Sequence, residues 1–332
     1  MSGQRRSLVE VKNLKKYFIE SPSLVSRLIA SRAREIRAVD NVSFHIHEGE
    51  AFGLIGESGS GKTTTAKLIL RLIEPTGGMV LFDNGRDITA LDEKNMRIMR
   101  QKMQMIFQDP YESLNPGMRV FNLISEPLLV YKIAPEAEKR RAVIREILET
   151  IELRPPEDFM YRYPHELSGG QRQRVAIARA LVLKPKFVAA DEPTSMLDVS
   201  VRAGILDLML DLKDKLGLTY LFITHDVALA RYMCDRIAVM YRGKIVEMGE
   251  AEQVIQKPLH PYTRALLTVV SGLQGFWDRI ESVIVDKPMD RRGPYAGCRF
   301  RFRCPLAQEI CVVEEPPLRE IEKGHFAACG FA

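Results

Sequence analysis

Gly56-Glu57-Ser58-Gly59-Ser60-Gly61-Lys62-Thr63-Thr64 places three glycines just before a lysine and two threonines. That order fits G-x-x-x-x-G-K-[ST]. Glycines let successive backbone N–H groups turn inward around a β-phosphate, and the positive end of a following helix favours the anion. Lys62 is placed to reach the β- and γ-phosphates, and the Thr63 hydroxyl to coordinate Mg²⁺. A glycine-rich turn with no ligand is the plainer alternative, and a strand before and a helix after speak against it.

Acidic and basic partners for such a loop occur further along. Asp191 and Glu192 stand at the end of the apolar run "KFVAADEP", where two carboxylates are costly unless a cation or water meets them. Asp191 is expected to hold Mg²⁺ and Glu192 to polarise an attacking water. His225, in "ITHD", follows another apolar run and is expected near the γ-phosphate. Gln108, in "MIFQDP", reads either as the start of a turn or as a ligand to Mg²⁺ or water.

A second glycine-containing helix start lies in "ELSGGQRQRVAIARAL". Ser168 is a good N-cap, Gly169 and Gly170 allow close approach, and Gln171 follows. Arg172 and Arg174 occupy the first turns with no acid, contrary to the usual preference at that end. The expectation is a helix that accepts an anion from outside: the γ-phosphate bound by a partner subunit.

These residues need elements to carry them. "SLVEVKNLKKYF", "AVDNVSFHIHEGE" and "GGMVLFDNGRDI" read as strands of an antiparallel subdomain, with a tight turn at Asp83-Asn84-Gly85. Residues 51–55 form a short strand, and a helix is expected from Lys62 to about Glu74, ended by Pro75. Residues 91–165 look mainly helical, with a strand at "MQMIF". "FVAA" and "LTYLFIT", each preceded by a helical pattern, argue for a parallel sheet. A hairpin turns at Arg242-Gly243, and a helix runs from Ser168 to about Leu183. The insertion carrying Arg32, Arg34 and Arg37 reads as a solvated face.

The composition suits a globular chain of 332 residues, 46% hydrophobic and 27% charged, with a net charge of +5. No apolar run of about 18 residues is present, so the chain is expected to stay in the cytoplasm. No long basic block or aromatic-basic stripe marks a nucleic-acid footprint. Cys298, Cys304, Cys311 and Cys329 cluster in the last 35 residues, while Cys234 stands alone and reads as core. Their gaps of five, six and seventeen residues are not those of a C-x₂-C knuckle, and four thiolates suit either Zn²⁺ or an iron–sulfur cluster.

"GESGSGKTT", "FQDP", "LSGGQRQR", "AADEP", "SMLD" and "ITHD" resemble, in order and spacing, the motifs of ABC transporter ATPases over about residues 7–255. The resemblance implies an α/β fold: a P-loop NTPase core with a parallel sheet, an antiparallel β subdomain and a helical subdomain at about 91–180. It implies that Phe18, or its neighbour Tyr17, stacks on adenine. Gln108 is similar to the Q-loop residue, Ser168 to Gln171 to the signature loop, Asp198 to the D-loop acid, His225 to the switch histidine and Glu192 to the catalytic base. "FQDPYESLNP", "HPYTRALL" and "CRFRFRCPLAQEICVVEEPPL" resemble ATPase subunits of oligopeptide, dipeptide and nickel importers.

That narrower resemblance implies an F-type subunit pairing with a homologous D-type subunit or with itself. Two membrane permeases and, indirectly, an extracellular binding protein are the other expected partners. It also implies a small Cys-rich domain over 256–332, with a 4Fe–4S cluster favoured over zinc and Arg299, Arg301 and Arg303 offsetting its charge or facing solvent. Some relatives carry oligosaccharides, which leaves the cargo open. ABC proteins of DNA repair and of translation are the rivals. The first group has long coiled coils and the second two fused cassettes, and neither feature is present.

Overall fold

The computed structural model describes residues 6–20, 34–271 and 295–332. Arg32 and the rest of the insertion at 21–33 lie outside the described residues. In chain order the strands are β1 (Ser7–Glu20), β2 (Arg34–His47), β3 (Ala51–Ile55), β4 (Gly77–Phe82) and β5 (Arg86–Asp87). Then come β6 (Met103–Ile106), β7 (Phe187–Asp191), β8 (Thr219–Thr224), β9 (Arg236–Tyr241), β10 (Lys244–Glu250), β11 (Arg319–Glu322) and β12 (His325–Ala327). The chain divides into two compact units.

One unit joins residues 7–46, 51–89 and 224–332. Val9 and Val11 are buried while Lys12 is exposed, the alternation of a strand with one wet face. β1 pairs antiparallel with β4, and β4 with β5, in a sheet ordered β2-β1-β4-β5. The expected turn closes β4 onto β5 with Asp83, Asn84 and Gly85 all at positive φ. In a second sheet β3 lies parallel to β9, β9 antiparallel to β10, and β10 antiparallel to β12, which pairs with β11. The last strands of the chain thus extend the sheet that carries the glycine loop.

The other unit contains residues 90–223 together with 1–6 and 47–50. Its strands β6, β7 and β8 are parallel, and every residue of β7 and β8 is buried, as continuous apolar runs require. Helices Glu93–Lys102, Val120–Val130, Ala137–Thr150 and Gly169–Leu181 make it largely helical, as expected.

The helix after the glycine loop ends at Ile69 rather than near Glu74. Arg71 adopts φ 48, and the N–H groups of Arg71 and Leu72 return to the carbonyls of Leu68 and Lys67. This is a Schellman stop with arginine in the position that glycine usually fills. Arg71 Nε holds Glu74 and its Nη1 the Ile88 carbonyl, which supports the turn. Pro75 is not the terminator. Among the described residues no helix is long and apolar enough to cross a membrane.

Candidate functional site

β3 delivers Ile55 fully buried to the start of the glycine loop. Gly56, Gly59 and Gly61 all take positive φ, and a Cβ at Gly56 or Gly61 would stand 2.2 Å from a backbone oxygen of Met240 or Ala38. No side chain fits there, so the spacing of these two glycines is a steric necessity. Lys62 is buried, and its Nζ donates to the carbonyls of Gly56 at 2.7 Å and Glu57 at 3.0 Å. Ser60 Oγ is buried without a hydrogen-bond partner. The helix beginning at Lys62 has no side-chain cap and no acid in its first turn. Its positive end, with Thr63 and Thr64 in the first turn, suits a phosphate.

Glu57 is held from two directions in the same unit. Its N–H donates to Tyr262 Oη at 2.8 Å, and its carboxylate meets Arg303 at 2.9 Å. Ser58 follows it in the loop.

Tyr17 and Phe18 differ in their surroundings on β1. The Tyr17 hydroxyl donates to Asp40 at 2.5 Å, and burial followed by that bond pushes the phenol up to about 12. Phe18 is 42% exposed, with the Lys16 ammonium 5.2 Å from its ring centre. Burial alone would raise Asp40, but the Tyr17 bond and the Arg299 charge hold it below the ordinary carboxylate range. Arg37 is no solvated bystander. Its guanidinium stacks 5.1 Å from the Tyr17 ring and 4.9 Å from the Tyr295 ring.

His225 is exposed at the end of β8. Its neighbour Asp226 caps the next helix by accepting from Ala228 N at 2.8 Å and Leu229 N at 3.3 Å.

In the helical unit, Asp191 ends β7 only 3% exposed. Glu192 follows at φ 44, a left-handed conformation rare for a side chain of its size, with its N–H on the Ile223 carbonyl at 2.9 Å. Strain of this kind collects where a side chain must be aimed. Gln108 Nε2 donates to Glu192 Oε2 at 3.1 Å, bringing two of the expected residues together. Asp198 stands at the N-cap of helix Val199–Leu216 without making a capping bond.

Ser168 caps its own helix. Its Oγ accepts from Gln171 N at 3.3 Å, and Gln171 Oε1 accepts from Ser168 N at 3.0 Å. A Cβ on Gly170 would lie 2.6 Å from Val201, and one on Gly169 3.3 Å from Leu197. Arg172 and Arg174, in the first turns of this helix, both have partners within the unit. Arg174 binds Glu152 at 2.8 Å and the Ile151 carbonyl. Arg172 binds the Pro164 carbonyl at 3.1 Å and the Tyr111 hydroxyl, and lies 4.1 Å from the Tyr111 ring centre.

The four C-terminal cysteines are free thiols. Burial pushes Cys304 up to about 11 and raises Cys298, with the other clustered cysteines adding to both shifts. Backbone N–H groups of Phe300, Leu306 and Phe331 point to Cys298, Cys304 and Cys329. Yet among the described residues no three His, Cys, Asp or Glu side chains form a group that could hold a metal ion. Zn²⁺ and an iron–sulfur cluster would each need the four thiolates gathered around it, and the described residues favour neither. The arginines between the cysteines are engaged as well. Arg299 binds Asp40 and the Arg242 carbonyl, Arg303 binds Glu57, and Arg301 binds the carbonyls of Ala296 and Cys298. Cys234 is core, as expected.

Sequence reasoning missed Asp40, Tyr262, the pairing of Arg303 with Glu57 and a buried node on Glu247. The Glu247 carboxylate accepts from Leu259 N and His260 N, each at 2.8 Å, and meets His325 Nε2 at 2.7 Å. The signals were the polar residues set in apolar runs, "KIVEM" and "HPYT", which need buried partners.

A strand, a sterically enforced glycine loop and a buried lysine opening a helix define a P-loop nucleotide-binding cassette. Residues 39–195 match the ABC transporter family, and residues 246–311 match the oligopeptide/dipeptide transporter C-terminal region. The chain is 41% identical to the oligopeptide transport ATP-binding protein AppF of Bacillus subtilis, covering 99% of this chain and 98% of AppF. It is 42% identical to OppF of the same organism, over 97% and 96% of the two chains. The dimeric structure of the ATP-binding cassette MJ0796 bound to ADP and Pi aligns with a TM-score of 0.63 at 34% identity, covering 74% of this chain and 99% of that one. The chain therefore belongs to the ABC transporter ATP-binding proteins, in the branch that carries the oligopeptide/dipeptide transporter C-terminal region.

Proposed function

We propose that this protein is the ATP-hydrolysing subunit of an importer for oligopeptides or dipeptides, with residues 1–255 as the cassette and 256–332 as its extension. The observation that carries the reading is the loop Gly56–Thr63, whose glycines admit no side chain and whose lysine is buried against the loop's own carbonyls. A bound triphosphate replaces those carbonyls as the partner of Lys62. Phe18 supplies the stacking surface for adenine, and Gly56 to Thr64 cradle the phosphates. Thr63, Gln108 and Asp191 would hold Mg²⁺, which would supply positive charge against the phosphates. Glu192 takes the proton of the attacking water, and His225 orients that water.

Ser168, Gly169, Gly170 and Gln171 grip the γ-phosphate held by a second cassette, and Asp198 lies at the same seam. Support comes from the capped, glycine-opened helix and from relatives of nearly full length. Closure on ATP and reopening after hydrolysis then drive two membrane permeases from the cytoplasmic face of the membrane. The second cassette is a D-type homologue or a second copy, and an extracellular binding protein supplies the cargo.

Cys298, Cys304, Cys311 and Cys329 hold a 4Fe–4S cluster in this reading, its part being to brace the segment. Support comes from the four thiols gathered in one short stretch, from backbone N–H groups that meet Cys298, Cys304 and Cys329, and from the Cys298 N–H on the Cys311 carbonyl. Iron and acid-labile sulfide measured on anaerobically purified protein test it, and absence of both removes the cluster. The import reading is tested with Glu192→Gln protein, the permeases and ATP. A trapped cassette dimer and failed peptide uptake are expected. A strictly monomeric ATP-loaded variant overturns it, and uptake of oligosaccharide or nickel instead of peptide by the wild-type complex reassigns the cargo.

A further inference from the structure

A carboxylate inside a phosphate cradle is an electrostatic oddity. Glu57 is the second residue of the loop, and an ionised side chain there repels a triphosphate unless something neutralises it. Arg303 does so, with Nη2 at 2.9 Å from Oε1 and Nη1 at 3.0 Å from Oε2, a two-pronged pair of the strong kind. Arg303 is only 8% exposed, lies 5.9 Å from the Tyr241 ring centre and 5.8 Å from that of Phe300, and so has little freedom to leave. The other end of Glu57 is fixed as well. Its N–H, one of the donors the loop could turn inward, is spent on the fully buried Tyr262 hydroxyl. Phe300 completes the support, packing 5.3 Å from Tyr241 and 5.5 Å from Tyr262.

We infer that the C-terminal segment is a clamp on the phosphate loop, in which Arg303 and Tyr262 act as positioning residues on Glu57. Arg303 cancels the charge that would oppose ATP, and Tyr262 sets the direction of the loop's first turn. Nucleotide affinity is therefore set partly by a segment nearly 250 residues from the loop in sequence. A second strut runs parallel to the first: Arg299 holds Asp40, which holds Tyr17 beside Phe18.

The inference rests on the loop being the ATP cradle, and the experiment separates the two. ATP affinity and steady-state hydrolysis are measured on the full chain carrying Arg303→Gln, Arg303→Lys, Glu57→Gln and the pair Glu57→Gln/Arg303→Gln. Arg303→Gln is expected to weaken ATP binding at least fivefold and raise KM, with kcat within twofold. Arg303→Lys should recover most of that loss. In the Glu57→Gln background the Arg303→Gln change should cost little, because no carboxylate is left to neutralise. Arg301→Met, which disturbs the same cysteine-bearing segment without touching the loop, should leave affinity unchanged. Equal affinity in the lysine and glutamine variants, or an undiminished Arg303→Gln effect beside Glu57→Gln, overturns the clamp. Lys62→Ala serves as the reference: if it binds ATP normally, the loop assignment itself fails.

Discussion

Gln108 reaches Glu192 across 3.1 Å, joining the second residue past β6 to the first past β7 on neighbouring parallel strands. The glutamine amide donates to a carboxylate whose backbone is already forced to φ 44. Two separate constraints thus aim one side chain. Glu192→Gln should lower the hydrolysis rate about 10²- to 10⁴-fold while ATP binding persists. Gln108→Ala should have a smaller effect of the same sign. Phosphate release under saturating ATP measures both, and normal turnover in Glu192→Gln removes the glutamate from its role.

Lys62 is expected to exchange two carbonyl contacts for phosphate contacts. Lys62→Ala forfeits charge-assisted hydrogen bonds of about 1.5–3 kcal/mol, equivalent to roughly a tenfold or greater rise in the ATP dissociation constant. Titration calorimetry reads it directly, with the thermal midpoint of the nucleotide-free protein as a control for folding.

His260 gives a pH signature. Burial, followed by the charge of Arg264, pushes its folded pKa down to about 3, and its Nδ1 accepts from Tyr262 N at 3.0 Å. In the unfolded chain an ordinary histidine titrates near 6.5. Below that value the unfolded state holds the extra proton, so stability present above about pH 6.5 is lost as pH falls toward 3. The contribution of His260 alone is about 1.4 kcal/mol per pH unit. Urea unfolding at several pH values should show His260→Asn losing less stability than wild type on acidification. Parallel curves would refute the assignment.

Arg172 and Tyr111 connect the helix capped by Ser168 to the segment after Gln108. Tyr111 is 61% exposed, so the ring contact is worth only about 0.5–1 kcal/mol. A double-mutant cycle of Arg172→Met and Tyr111→Leu, read by chemical denaturation, should return a coupling energy of that size. Additive effects would show that the two side chains act separately.

Motif spacing made much of this molecule legible. The glycine loop, the strands ending at Asp191 and before His225, the Arg242-Gly243 turn and the capped helix at Ser168 all appear where local chemistry places them. Such features depend on residues within a few positions of one another. The misreadings share the opposite character. Arg71 ends a helix because its own side chain is held by Glu74 and Ile88. Arg172 and Arg174 look unpaired in sequence because Tyr111 and Glu152 stand 61 and 22 residues away.

By itself the sequence determined the chemistry available to this chain: a phosphate cradle, a carboxylate pair, a histidine and a row of thiols. A turn needing glycine, or a helix needing a cap, is written in neighbouring residues and survives any change of distant context. Tertiary structure alone decided the partners. That Arg303 would neutralise Glu57, that Tyr17 would be tied down while Phe18 stayed exposed, and that Glu247 would collect Leu259, His260 and His325 follow from chain segments meeting over long separations. Charge and hydrogen-bonding capacity belong to a residue, but their satisfaction belongs to whatever the fold brings within about 3 Å of it.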